Sequence, residues 1–446
     1  MRTQAATIEG PITVGVFHGP ADPRPLGLED LGYVQEEFFA AGVAQGFVPV
    51  GAFSDDGHWS VAPGDQAPYR TRIVVRRPAD PARFRGAVVL EWLNVTVVEA
   101  APEWAYTCRA LVDAGAVWVG VSAQALGVIG GSSLIETGVE QQLAEEAGGL
   151  RGMSPDRYRR LAHPGDKFSF DIYSQVGAAL RGGLPGIDGV RHLIAAGESQ
   201  SAAFLTSYIN AIQPISPVFD GFFVHSRGGG ATDPTSGRYA RDKSPRTRMR
   251  TDLAAKIIVA QTETDVGPVF RFAPMRQPDT DNLRIWESAG TAHADAYLVG
   301  NDFLFCSRAI NNGPQHYVTN AAMEALLTWL ADGLPAPSAT PLLTDPSDPT
   351  VILRDDRGIA LGGVRTPAVD VPVAILSGDP DEGASEICAL FGHSTPIEAP
   401  ALSGLYGTPA AYREAFAQSL DEAIAARFVR RADRDLLLAE ADAVDF

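Results

Sequence analysis

The chain has 446 residues, with 54 Asp and Glu against 36 Lys and Arg, which gives a formal net charge of −18. Its hydrophobic content of 45% is that of a folded globular protein. The acidic excess argues against a nucleic-acid-binding protein, because neutralising phosphates requires a surplus of Lys and Arg. It argues equally against binding to an anionic membrane surface. We therefore expect neither nucleic acid nor membrane as a partner.

Cysteine usage is sparse. The three residues Cys108, Cys306 and Cys388 are an odd number with no CxxC pair, which disfavours a disulfide framework or a thiolate zinc site. We expect all three to be buried small hydrophobic side chains. The first residues contain no apolar segment of the kind found in a secretory signal, so a cytoplasmic location is the expectation.

Strand and helix patterns alternate along the chain from about Thr71 onward. Predicted strands, rich in β-branched residues and bounded by Gly or Pro, are 71–77, 87–93, 117–122, 192–196, 219–224, 256–261 and 283–288. Predicted helices are 104–114, 168–180, 201–212 and 314–331. This alternation predicts an α/β fold with a mostly parallel central sheet and helices on both faces.

Two stretches and a tail interrupt the alternation. The segments at about 127–167 and 226–252 are too long for plain connections, which predicts lid-like insertions. A connector rich in Pro, Ser and Thr follows near residue 334. We predict a core of residues 1–334 that carries both insertions and an extension of 335–446 packed on the core. Elements predicted in the extension are strands at 351–353 and 371–376 and helices at 409–428 and 432–443.

The strongest local signal is the sequence Gly197-Glu198-Ser199-Gln200-Ser201, between a predicted strand and a predicted helix. A Gly-x-Ser-x-Gly turn in this context holds its serine in a strained, exposed conformation suited to nucleophilic attack. Ser201 replaces the second glycine but is still small. Ser199 is therefore the candidate nucleophile; the alternative is a serine that only caps the following helix.

A serine nucleophile needs a base, and the base needs an acid to orient it. In this architecture both follow the serine in the chain, in the order acid, then histidine. His293 follows the strand 283–288 and is the preferred base, with His225 and His316 ranked second as possible pocket residues. Asp265 is the preferred acid, and Glu263 is kept as an alternative that would otherwise brace the loop or pair with an Arg.

An acyl-transfer site also needs backbone donors for the oxyanion. Gln200 N–H is one candidate, and the loop after the strand 87–93 supplies Asn94 or Val95 as the other. Trp104 and Arg227, by position, are candidate substrate contacts, although core packing and a solvated face are equally open for them.

Several segments together resemble the α/β-hydrolase superfamily, and within it a bacterial branch described as alpha/beta hydrolase domain proteins. The resemblance rests on the segments LEWLNV at 90–95, GESQSA at 197–202, QTETDV at 261–266, WESAGTAHAD at 286–295, GGVRTPAVDVP at 362–372 and LYGTPAAYREAF at 405–416. It implies a serine hydrolase acting on esters or lactones, with a GESQS nucleophile elbow at Ser199, His293 as base, and Asp265 or Glu263 as acid.

The predicted function is thus a carboxylic ester hydrolase with a small-molecule ester or lactone as its partner. The alternatives are an amidase, a peptidase or a lyase with the same triad, or a non-catalytic ligand-binding protein on a hydrolase fold. The sequence contains no HExxH or equivalent histidine spacing, so we expect neither a metal nor another cofactor. The oligomeric state stays open.

Overall fold

The computed structural model describes residues 3–21, 27–131, 148–239, 245–300 and 306–446. They belong to two compact units, and the chain passes from one to the other more than once. The first unit is built from Met1–Ile257 and Met275–Asn282, and the second from Ile258–Pro274 and Leu283–Phe446. The boundary predicted near residue 334 therefore falls inside the second unit.

The first unit contains strands β1 to β7, in the spatial order β1-β2-β3-β5-β4-β6-β7. Their bounds are β1 (Thr7–Glu9), β2 (Tyr33–Pro49), β3 (Val61–Pro78), β4 (Ala87–Trp92), β5 (Val117–Val121), β6 (His192–Glu198) and β7 (Gly221–His225). Strands β5, β4, β6 and β7 pair in parallel. Strands β4 and β5 are buried along their whole length, as expected of apolar runs in a parallel sheet covered on both faces. The predicted α/β class is confirmed.

Strands β1, β2 and β3 form an antiparallel edge on these parallel strands. Sequence analysis missed β1 and β2 and saw only the last part of β3. Acidic residues break the apolar alternation of β2, but pairing with β3 compensates for them. Glu36 lies 2.7 Å from Arg77, and the buried Glu37 lies 3.3 Å from the buried Arg72.

Helices connect the parallel strands and fill the C-terminal region. They are α1 (Pro102–Asp113), α2 (Ala125–Ile129), α3 (Gly149–Met153), α4 (Pro155–Tyr158), α5 (Ser169–Arg181), α6 (Gln200–Ser207), α7 (Glu263–Val266), α8 (Ala296–Val299), α9 (Gln315–Asp332), α10 (Pro367–Asp370), α11 (Ala399–Tyr406), α12 (Pro409–Ala425) and α13 (Arg434–Asp442). None of the described helices combines the length and apolar character that crossing a membrane requires.

The two predicted insertions are described in part. In the first, α3 and α4 contribute Leu150 and Tyr158 to an apolar cluster with Phe39 and Val128. In the second, the described residues 226–239 and 245–252 carry only a single bridge, between Gly230 and Arg246. Residues 132–147 and 240–244 lie outside the described residues. Their role as lids stays a prediction.

The second unit joins the loops that follow β8 and β9 to the C-terminal region. Strand β8 (Lys256–Thr262) carries the chain into this unit and neighbours β9 (Leu283–Ser288). Strands β10 (Ala374–Ser377) and β11 (His393–Pro396) form an antiparallel pair. Tyr317 of α9 shares an apolar core with Phe416 of α12 and Leu437 of α13. The strand predicted at 351–353 is wrong, because Ile352 makes only an isolated bridge to Thr344.

A disulfide joins Cys306 to Cys388 within the second unit, across a sequence separation of 82 residues. The expectation that these two cysteines are simple buried hydrophobic residues is therefore wrong. It holds for Cys108, which is buried and free. The odd cysteine count disfavours a disulfide only on the assumption that all three cysteines have the same role.

Candidate functional site

Ser199 occupies a sharp turn between β6 and α6. Strand β6 ends at Glu198 and α6 begins at Gln200, so a single residue reverses the chain direction. Its backbone has φ 57° and ψ −115°, which is unfavourable for a residue with a Cβ. Its N–H donates to His225 O at 2.9 Å, which anchors the turn to the end of β7. Such retained strain is characteristic of nucleophile elbows.

Small residues let the strand and the helix approach each other around this turn. A Cβ at Gly197 would lie 3.0 Å from Ser201 Cβ and 3.1 Å from Leu205 Cδ1. Ser201 is fully buried, and its Oγ has no hydrogen-bond partner among the described residues. Position 201 therefore requires a small side chain but makes no use of the hydroxyl.

The loop after β4 lies against the elbow through Asn94. Its side-chain amide donates to the Glu198 carboxylate at 3.0 Å and to Glu198 O at 3.1 Å. Its backbone N–H donates to Ala100 O at 3.0 Å. That bond occupies the N–H, so the prediction of Asn94 as an oxyanion donor is corrected. Asn94 instead ties its loop to the residue that precedes Ser199.

Two backbone donors near the elbow are still available. Val95 is buried, and in the described ranges its N–H makes no hydrogen bond. Gln200 is the first residue of α6, so its N–H has no acceptor within the helix. Both N–H groups are compatible with holding an oxyanion.

The structure places Trp104 in the core and not at a ligand surface. Its ring lies 5.6 Å from the Trp118 ring, and the Arg76 guanidinium lies 4.8 Å from its centroid. Its backbone N–H donates to the Glu91 carboxylate at 3.0 Å. The predicted substrate contact at Trp104 is therefore corrected: this residue packs α1 on the sheet.

His225 and Arg227 are also turned inward. The His225 imidazole has Nδ1 3.5 Å from a Glu103 carboxyl oxygen and packs edge-on against Tyr106. The Arg227 guanidinium donates to Thr247 O at 2.6 Å, and burial lowers its pKa to about 10. Their predicted roles as substrate contacts are corrected. His225 supports Ser199 through its carbonyl, and Arg227 holds the second insertion.

Asp265 and His293 form a hydrogen-bonded pair in the second unit. His293 Nδ1 lies 2.6 Å from Asp265 Oδ1, and both side chains are buried. The other oxygen, Oδ2, accepts from Thr262 N–H at 2.8 Å and from Thr262 Oγ–H at 2.7 Å, in a capping box at the start of α7. The Phe270 ring stacks on the imidazole at 4.2 Å. Carboxylate and ring are thus held in a fixed orientation.

Glu263 makes a different set of contacts. One oxygen accepts from Gly290 N–H at 2.6 Å, and the other accepts from Gly378 N–H at 3.0 Å and pairs with Arg354 at 2.7 Å. These bonds connect Glu263 to three other segments of the second unit. The geometry therefore favours Asp265 as the partner of His293 and Glu263 as a brace.

His316 lies in the first turn of α9. Its ring stacks on Tyr297 at 3.9 Å and borders a cavity of about 350 Å³ that is lined largely by apolar side chains. Tyr317, in the same lining, donates its hydroxyl to Glu440 at 2.6 Å. His316 thus borders an apolar cavity, and its role as a substrate contact stays a prediction.

Sequence reasoning missed a pair of buried carboxyl groups beneath the elbow. Glu91, at the end of β4, accepts from the N–H groups of Glu103 and Trp104 and from the Trp118 indole. Burial, together with the neighbouring Glu103, raises the pKa of Glu91 to about 8, and burial raises the pKa of Glu103 well above its ordinary value. A glutamate inside an apolar strand was the available signal.

Other missed residues carry no signal in the local sequence. Arg354 is 91 positions from its partner Glu263, and Phe270 contacts His293 only through the fold. Among the described residues, no group of three or more His, Cys, Asp or Glu side chains is arranged to hold a metal ion. The first unit thus offers a strained serine, and the second an oriented histidine.

Comparison with known proteins gives one extensive match. The model of a family described as "Alpha/beta hydrolase domain" matches residues 8–439. No curated protein matches the sequence significantly.

Solved structures give partial likenesses. A Butyrivibrio proteoclasticus protein with bound ferulic acid is 11% identical, covers 59% of this chain and 96% of its own, and has a TM-score of 0.33. A glucuronoyl esterase from Solibacter usitatus is 11% identical over 63% of this chain and 80% of its own, with a TM-score of 0.30. A serine hydrolase without lid from Xanthomonas campestris is 11% identical over 57% and 87%, with a TM-score of 0.29.

Proposed function

Because the chain belongs to the alpha/beta hydrolase domain family, we propose that it is a serine hydrolase that cleaves a carboxylic ester or lactone through an acyl-enzyme on Ser199. The observation that carries this proposal is the conformation of Ser199, with its left-handed φ of 57° at a strand-to-helix turn. A serine that only capped the helix would adopt the extended backbone usual at that position, without strain.

In the proposed reaction His293 is the base. An ionised carboxylate can only accept a hydrogen bond, so the bond to Asp265 places the proton on Nδ1 and leaves the lone pair on Nε2. As the Ser199 Oγ–C bond forms, the hydroxyl proton passes to Nε2. The histidine then gives that proton to the departing alcohol, and water repeats the sequence to release the acid.

The tetrahedral intermediate places a negative charge on the former carbonyl oxygen. We assign the N–H groups of Gln200 and Val95 as its donors. For Gln200, the assignment is supported by its position at the start of α6. For Val95, it is supported by the Asn94 side-chain amide, which holds the loop against Glu198. Each such donor contributes about 10²–10³ in kcat in serine hydrolases.

The test is hydrolysis of short and medium chain p-nitrophenyl esters by the wild type and by Ser199→Ala and His293→Ala variants. Ser201→Ala is the matched control, because it removes a neighbouring buried hydroxyl that makes no hydrogen bond to any of the described residues. We expect turnover to be lost in the first two variants and kept in the control. Labelling of Ser199 by a fluorophosphonate checks the nucleophile independently of the substrate.

Unchanged turnover in Ser199→Ala would overturn the proposal. If the wild type showed no ester turnover and no fluorophosphonate labelling, the results would point instead to a ligand-binding protein. A panel of matched esters and amides would separate an esterase from an amidase.

A further inference from the structure

The loop that carries His293 leans on the backbone of residues 390–392. Ala294 N–H donates to Leu390 O at 3.1 Å. On the other side of the histidine, Gly392 packs so closely that a Cβ there would lie 3.0 Å from Ala292 Cβ. The segment 390–392 therefore supports the backbone on both sides of His293, while Asp265 and Phe270 orient its ring.

The Cys306–Cys388 disulfide anchors the chain two residues before this supporting segment. Phe391 O, three residues after Cys388, accepts from Asn311 N–H at 3.0 Å, and Asn311 is five residues after Cys306. The disulfide and this hydrogen bond thus close a small ring between the segments 306–311 and 388–391. This ring ties the support of the His293 loop to the 306–311 segment.

Besides the disulfide, Asp381 ties the chain before Leu390 to the 306–311 segment, because it accepts from Ser307 Oγ–H and pairs with Arg308. An ion pair at a partly exposed position contributes only about 0–1 kcal/mol to stability. None of residues 381–389 is buried, and the only regular structure there is a single helical turn at Cys388–Leu390. A segment without buried apolar side chains has little packing energy to oppose its conformational entropy. A crosslink restricts such a segment directly.

We propose that the Cys306–Cys388 disulfide positions His293, so that the oxidised protein is the active hydrolase and the reduced protein a weak one. This inference rests on the proposed function. Reduction adds two electrons and two protons, breaks the S–S bond and leaves two thiols, while a dithiol reagent becomes a cyclic disulfide. The active form then belongs to an oxidising compartment, where disulfides persist.

The experiment measures ester turnover of the intact protein before and after treatment with dithiothreitol, with thiols counted by mass spectrometry. Reduction should raise the free thiols from one to three, lower kcat at 25 °C by about tenfold or more, and affect KM less, because misplaced catalytic groups slow the chemical step. Reoxidation should restore kcat. The double variant Cys306→Ser with Cys388→Ser should have the low kcat and no response to dithiothreitol.

Cys108→Ala is the matched control and should keep the full response. If reduction lowers the melting temperature but leaves kcat of the folded protein unchanged, the disulfide is only structural and the proposal is wrong. Hydrogen exchange supplies a readout that needs no turnover. The peptide around Ala294 should exchange faster after reduction, and the peptide 192–200 should not.

The two proposals fail in different ways. If the oxidised wild type shows neither ester turnover nor fluorophosphonate labelling, the proposed function fails, and hydrogen exchange still decides whether the disulfide holds the His293 loop. With turnover that ignores the redox state, only the present inference fails.

Discussion

Exchanging the two carboxylates of α7 for amides should separate stability from catalysis. Glu263→Gln keeps the size of the side chain but replaces one accepting oxygen with an NH₂ group. That group must then face either Gly290 N–H, or Gly378 N–H together with Arg354, all of which are donors. Breaking a buried ion pair costs about 3–5 kcal/mol. Because Arg354 keeps Asp379 as a second partner, we expect the lower end, about 3 kcal/mol.

Asp265→Asn should behave in the opposite way. The amide oxygen still accepts both hydrogen bonds from Thr262, so the capping box survives and stability falls by only about 1 kcal/mol. The amide NH₂, however, faces His293 Nδ1 and moves the ring proton to Nε2. A histidine in that tautomer cannot act as the base, and kcat should fall by about 10⁴.

Thermal unfolding and ester turnover of both variants provide the assay. For a unit of this size, 3 kcal/mol corresponds to a melting temperature lower by about 6–12 °C. We expect this shift for Glu263→Gln with kcat within tenfold of the wild type, and little shift for Asp265→Asn. If Glu263→Gln were the inactive, stable variant and Asp265→Asn the active, unstable one, the assignment of brace and acid would be reversed.

Three further predictions concern the elbow and its support. Ser201→Ala should leave the unfolding free energy unchanged or raise it by about 1 kcal/mol, because it removes a buried hydroxyl without a described partner; a loss of 2 kcal/mol in urea unfolding would contradict this. Gly197→Ala should lower the unfolding free energy by about 1–3 kcal/mol and reduce turnover, because the added Cβ would press on Ser201 and Leu205. A variant with the stability and turnover of the wild type would refute this close packing. The pKa of Glu91 is raised to about 8, so in the folded protein this carboxyl keeps a proton that the unfolded chain releases near pH 4.5. The contribution of Glu91 to the stability of the fold therefore falls as the pH rises from about 4.5 to about 8. Unfolding at pH 5.5 and 8.5 should show that decline in the wild type and a flatter profile in Glu91→Gln, and parallel profiles would refute it.

The order of elements could be predicted because short, buried parallel strands such as β4 and β5 are nearly continuous apolar runs. Strand β2 could not, since Glu36 and Glu37 become strand residues only through Arg partners on β3. The elbow at Ser199 had a local signature of small residues next to a strand end. The position of Trp104 in the core had none, because an aromatic residue on a helix suits a pocket and a core equally well.

The choice between Asp265 and Glu263 needed coordinates, because two carboxylates two positions apart have the same sequence context. Distances separate them: one lies 2.6 Å from His293, and the other pairs with Arg354. The disulfide was invisible for a related reason. Cys306 and Cys388 meet through the fold, and residue counting contains no information about which thiols meet.

The bracing of Glu263 has a consequence for anyone who wishes to shorten this protein. Arg354 and Gly378 come from the C-terminal region, yet they fix the loops that hold Asp265 and His293. A fragment ending near residue 334 would keep the bond from Gly290 N–H but leave the other oxygen of the Glu263 carboxylate without Arg354 and Gly378. The C-terminal quarter is thus no interchangeable module, and domain exchange with another hydrolase would have to transfer it together with the acid and histidine loops.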